Sequence, residues 1–317
     1  MATRKSLNPA KKASVRAVAR PTFDAFISHA SADALSVRRL VRALEADSLT
    51  TWTDYSAVAF GKLLRPELHQ AIRNSRVFVL LWSEAARESR WVMMEVIVAF
   101  HLKKFIIPCV LDATPLPQFL ANAAYLDRGR ERTALAAQLS RAVRTAAAGP
   151  TKVAPLMIGR SEIVDTLSRA VSAGQYAVLE AVTRDRKRAA ASNRSVGTAL
   201  RHLQKIAPED PLVVNLTAYQ YKNTYMLKYW PQIQAGRAPN DRLLAYAERN
   251  FFDVLSANPS DESAINGLGT VLFYERELED AAFFQRRAAA LAKRQGLEYG
   301  AANADLKQTL RYLRQQP

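Results

Sequence analysis

Arg76-Val77-Phe78-Val79-Leu80-Leu81-Trp82-Ser83 is the stretch on which the fold turns. Its apolar residues run without alternation from Val77 to Trp82 and stop at a serine. A strand apolar on both faces belongs in the middle of a parallel sheet, where helices cover both sides. Working outward, Phe23-Asp24-Ala25-Phe26-Ile27-Ser28 is a second run of this kind, again ending in small polar residues. Between the two, Val37, Leu40, Val41 and Leu44 recur with helical spacing, and Asp33 stands before them as a cap. Thr50 to Thr53 reads as a short strand ending at Asp54, and Leu64, Leu68, Ala71 and Ile72 form a second helical stripe. On the far side, one helix is predicted from Glu84 to Leu102, then a strand from Phe105 to Leu111. A weaker strand at Ala124 to Leu126 leads to a helix through Leu135 and Leu139. Strand and helix alternate throughout, so the expectation is an α/β domain with a parallel sheet and helices on both faces.

The chain has 317 residues, 49% of them apolar, enough for two compact domains. The predicted division is a basic disordered tail over residues 1–20, the α/β domain over 21–148, a linker over 149–155 containing two prolines, and a helical domain over 156–317. Nothing approaches the run of about 20 apolar residues that a membrane-spanning helix needs, so the expectation is a cytoplasmic protein. Cys109, the lone cysteine, sits in an apolar run and reads as a small buried hydrophobe. The formal charge of +16 includes six basic and no acidic residues in 1–20 and a cluster at Arg184, Arg186, Lys187 and Arg188. Nucleic acid is one partner such charge suits, but without interleaved aromatics solvated charge is the plainer account.

Beyond the linker the pattern is helical. Ala247 and Ala281 are 34 residues apart, as are Val254 and Ala288, which is the tetratricopeptide period. Phe251 and Pro259, then Ile265, Leu268 and Gly269, fall at consistent later positions. Pro208 to Pro211 resembles Pro259 to Glu262 as a helix opening, and their 51-residue offset implies an insertion around Trp230 to Asn240. The reading is a small stack of helical hairpins, with an irregular bundle as the alternative.

Three motifs in order carry a family resemblance. Phe26-Ile27-Ser28-His29-Ala30-Ser31-Ala32-Asp33 resembles the first-strand motif of TIR domains. Asp54 to Ser75, with Phe60, Gly61, Leu64, Leu68 and Ile72, resembles the loop and helix that the family uses for ligand gating and self-association. Ser83 followed by Ser89-Arg90-Trp91-Val92-Met93-Met94-Glu95 resembles its Ser-x-Trp-Cys-x-x-Glu signature, with Val92 in place of the cysteine. The resemblance implies a flavodoxin-like five-stranded sheet. It also implies cleavage of NAD+ as substrate rather than cofactor, with Glu95 at the catalytic position. Self-associated copies and a role in bacterial antiphage defence are further expectations of the resemblance, and a protein partner is expected at the helical region.

Leaving nicotinamide departs neutral from a cationic start, so it needs no proton, and a single carboxylate can stabilise the ribose as it approaches an oxocarbenium ion. Ordinary glycoside hydrolysis needs two. Ser28, Ser31 and Ser83 are assigned to ribose or phosphate oxygens, Lys62 or Arg65 to the diphosphate, and Trp91 to a wall on the helical face of Glu95. Asp54 and Phe60 of the gating loop are counted with them. His29, His69, His101 and His202 are assigned nothing, and no metal is expected. Before Gly149 the only glycines are Gly61 and Gly129, which excludes a dinucleotide fingerprint or a phosphate loop. The competing reading is a non-catalytic scaffold in which both regions bind partners.

Overall fold

The computed structural model describes residues 22–53, 65–127, 132–146, 162–296 and 300–315. The N-terminal domain is built from β1 (Phe23–Ser28), α1 (Ala34–Ala46), β2 (Thr51–Thr53), α2 (Arg65–Asn74), β3 (Ser75–Trp82), α3 (Glu84–Glu88), α4 (Arg90–His101), β4 (Phe105–Val110), β5 (Leu126–Asp127) and α5 (Arg132–Thr145). All five strands are parallel, in the order β2-β1-β3-β4-β5. Pleating sends Ala25, Ile27, Val77, Val79, Leu81 and Cys109 to the face covered by α1 and α5. Phe26, Phe78, Leu80 and Trp82 go to the other face, against α2 and α4. Phe26 stacks there between Trp52 and Phe78, with ring centroids 4.7 and 5.3 Å away.

Two expectations need correction. The helix predicted over Glu84 to Leu102 is broken at Ser89, whose backbone is extended (φ −81, ψ 112) and whose hydroxyl accepts from the Val92 amide. Ser89 starts α4 afresh because a serine oxygen satisfies a first-turn amide better than continued helix would. Asp33 does stand at the N-cap of α1, but its side chain makes no capping bond and turns instead to Ser83.

The second domain comprises α6 (Glu162–Ala181), α7 (Arg186–Ile206), α8 (Pro211–Gln234), α9 (Arg242–Ala257), α10 (Glu262–Tyr274), α11 (Leu278–Arg294) and α12 (Gly300–Leu313). Short turns join α6 to α7, α8 to α9 and α10 to α11, and each pair packs as a hairpin. The 24-residue α8 accounts for part of the insertion read from the sequence. It kinks at Tyr229, next to Pro231. Proline has no amide to donate to the Leu227 carbonyl, and the Arg186 guanidinium donates to it instead at 3.0 Å.

The two domains share a seam in which α9 and α11 pack on α4 and α2. This explains why α4 is apolar almost all round: Val92, Val96 and Ala99 are buried together with Met93, Met94 and Ile97, because one side of the helix meets the sheet and the other meets the second domain. Among the described residues no helix is long and apolar enough to cross a membrane.

Candidate functional site

Strand order decides where a site can form. The chain leaves β1 toward β2 on one side, whereas β3 continues toward β4 on the other, so the connections part above the carboxyl ends of β1 and β3. Open α/β sheets bind ligands at such a switch point. Ser28 ends β1 and Ser83 follows β3, which places the two serines on either side of it.

Glu95 reaches this point from α4. Only 5% exposed, it accepts a hydrogen bond of 2.5 Å from the Ser28 hydroxyl, itself buried. A hydroxyl donating to a carboxylate is the shorter, stronger kind of hydrogen bond. Ser83 is equally committed. Its oxygen accepts from the Ala86 amide at 3.1 Å, capping α3, and its proton goes to Asp33 Oδ2 at 2.6 Å. Both serine protons are spent inside the protein, so toward a ligand in this arrangement the two residues can only accept.

The remaining assigned residues are distributed unevenly. Ser31 is exposed on a single 3-10 turn, Ser31–Asp33. Trp91 is 44% exposed, with the Arg90 guanidinium 5.6 Å from its ring centre. His29 lies 3.4 Å from the Ile27 carbonyl, consistent with a loop residue. Asp54, Phe60 and Lys62 fall outside the described residues, as does the Arg65 side chain. Sequence reasoning missed the Ser83–Asp33 link, although an acid closing the first-strand motif was in view. Asp112, which opens the turn after β4 and was given no role from sequence, accepts from the Thr114 and Glu84 amides at 2.9 and 3.0 Å. Hydrogen bonds from Thr114 and Glu84 hold its carboxyl below the usual range.

Other chemistry-bearing groups lie elsewhere. Burial pushes the Cys109 thiol up to about 12, which removes it as a nucleophile at neutral pH. Burial, with Arg287 nearby, lowers His101 to about 4. Among the described residues no three of His, Cys, Asp and Glu converge as a metal site would require.

Comparison with known proteins bears on residues 25–143, which match the family model for the TIR domain. A stretch of 103 residues is 27% identical to a probable 2′ cyclic ADP-D-ribose synthase of Methanobrevibacter olleyae, covering 31% of this chain and 30% of that protein. The match thus spans less than a third of that relative's length. Among solved structures, the TIR domain of the Toll-related receptor TRR-2 from Hydra magnipapillata is 23% identical with a TM-score of 0.36, covering 39% of this chain and all of that one. A metazoan TIR-STING receptor from C. gigas, solved with 2′,3′-cGAMP, is 18% identical with a TM-score of 0.36, covering 62% of this chain and 55% of that one. Sheet order, helices on both faces and the family match over the same residues together make the N-terminal domain of this chain a TIR domain.

Proposed function

We propose that the protein cleaves the nicotinamide–ribose bond of NAD+, with Glu95 as the catalytic residue. The observation that carries this reading is the Glu95 carboxylate, buried at the β1/β3 switch point and held by Ser28. As the C–N bond breaks, its electron pair leaves with neutral nicotinamide and positive charge spreads over the ribose. An ionised carboxylate held in a low-dielectric site stabilises that charge more in the transition state than in the ground state. Attack by water gives ADP-ribose and a proton. Attack by a nucleophile of the same ADP-ribosyl group gives a cyclic product, and the resemblance to a probable cyclic ADP-ribose synthase supports that branch.

On this reading Ser28 positions Glu95, and Asp33 positions Ser83. Ser31 and Trp91 border the substrate, and Asp54, Phe60 and Lys62 keep the binding roles that the family resemblance gives them. Activity answers to self-association or to a partner at the tetratricopeptide-like helices, in antiphage defence inside the cytoplasm. The test is nicotinamide release from NAD+ by the full chain. Glu95→Gln, which keeps shape and removes charge, should reduce kcat by at least about a thousandfold, corresponding to roughly 4 kcal/mol of transition-state stabilisation. Equal release by the variant would transfer the chemistry elsewhere. No release at any protein concentration would leave a scaffold protein.

A further inference from the structure

The first residue of α4, Arg90, reaches away from the sheet into the second domain. Its Nε donates to Glu248 of α9 at 2.7 Å, and its terminal nitrogens reach Glu275 at 2.5 Å and Glu277 at 3.2 Å in the α10–α11 turn. The three carboxylates are 6, 23 and 13% exposed, so the cluster is largely screened from water. That turn passes through Arg276 at φ 67, a conformation that few side-chain-bearing residues adopt. Two lesser ties flank the cluster: Arg249 bonds Glu88 of α3 at 3.2 Å, and His69 of α2 lies 3.0 Å from Asp280 of α11. A cleft of about 390 Å³ lies beside Arg90, between Trp82, Met93 and Leu116 on one side and Phe252 on the other. On that flank the seam is held by charge rather than by close packing.

We propose that Arg90 is a positioning residue through which the helical domain sets the placement of Glu95. The proposal rests on Glu95 being the reacting carboxylate. Arg90 and Glu95 share one short helix only 12 residues long, ending at His101, so a shift of its first turn is felt at the carboxylate and at its bond to Ser28. Three carboxylates on one guanidinium make the link conditional. Without the arginine, α9 and the α10–α11 turn present like charges to the place it held. A partner or ligand that displaces the helical domain therefore acts on the catalytic helix through this contact.

The test uses hydrogen exchange on the full chain, with nicotinamide release alongside. In Arg90→Ala and in Glu275→Gln/Glu277→Gln, amide exchange over residues 90–96 and 28–33 should rise about tenfold or more, while the β3 and β4 amides stay protected. Turnover should fall about tenfold or more in kcat with a smaller change in KM, and Arg90→Lys should recover part of it. Unchanged exchange at 28–33 in Arg90→Ala, or raised exchange with kcat intact, overturns the proposal. If the unvaried chain releases no nicotinamide, the enzymatic reading fails separately. Exchange at 28–33 then decides whether Arg90 governs the Ser28–Glu95 contact.

Discussion

Ser28 shows how one hydroxyl sets the character of its neighbour. Buried at the tip of β1, it donates its only proton to Glu95, so the carboxylate is oriented before any ligand arrives. A hydrogen bond to a charged group contributes roughly 1.5–3 kcal/mol. Ser28→Ala should therefore lower kcat about 10- to 100-fold and KM less, because the pair is a device of orientation rather than of affinity. Steady-state kinetics with NAD+ check this, and a tenfold rise in KM at constant kcat would argue against it. The two serines nearest the switch point do different work: Ser28 addresses the acid, and Ser83 closes a helix and holds Asp33.

At the scale of elements, α9 and α10 pack so closely that a glycine is required between them. A Cβ on Gly267 would fall 2.2 to 2.9 Å from three ring atoms of Phe251, which is fully buried. Alanine gains about 1 kcal/mol of helix propensity over glycine, whereas overpacking a core costs about 1–3 kcal/mol and occasionally more. With three atoms inside contact distance the clash wins, so Gly267→Ala should lower the midpoint of thermal unfolding, a change readable by circular dichroism. An unchanged or higher midpoint would mean the ring can move. Legibility in the sequence followed period and punctuation. The uninterrupted run from Val77 to Trp82 announced β3, whereas the bend of α8 at Tyr229, two residues before Pro231, went unread beside the insertion inferred from Trp230 to Asn240. The break at Ser89 was hidden because helix formers flank it on both sides and only its capping bond marks it. The partnership of Ser28 with Glu95, 67 residues apart, leaves no local period, so only the family resemblance brought the two into one picture. Nothing local pointed to Arg90 and Glu248, 158 residues apart.

For the whole molecule the decisive feature is that the second domain covers α4 and α2. The apolar surface of α4 is occupied within one chain, by the sheet on one side and the helical region on the other. His101 lies in this seam, facing Arg287 and the Pro259 backbone, and is held neutral with its value lowered to about 4. For a histidine whose folded value lies below the unfolded value near 6.5, the stability is present above pH 6.5 and is lost as the pH falls toward 4. The loss is on the order of 3 kcal/mol. Urea unfolding at pH 7.5 and pH 4.5 should show it, and His101→Gln should flatten the difference; a pH response unaltered in that variant would assign it to other groups. Among the described residues the sheet holds eight residues in β3, three in β2 and two in β5, and the chain following Thr53 and Asp127 lies outside them. Over that extent the two border strands offer a neighbour only a short backbone ladder to extend. Over the described residues, then, contact between copies of this chain falls to helices and loops more readily than to the sheet.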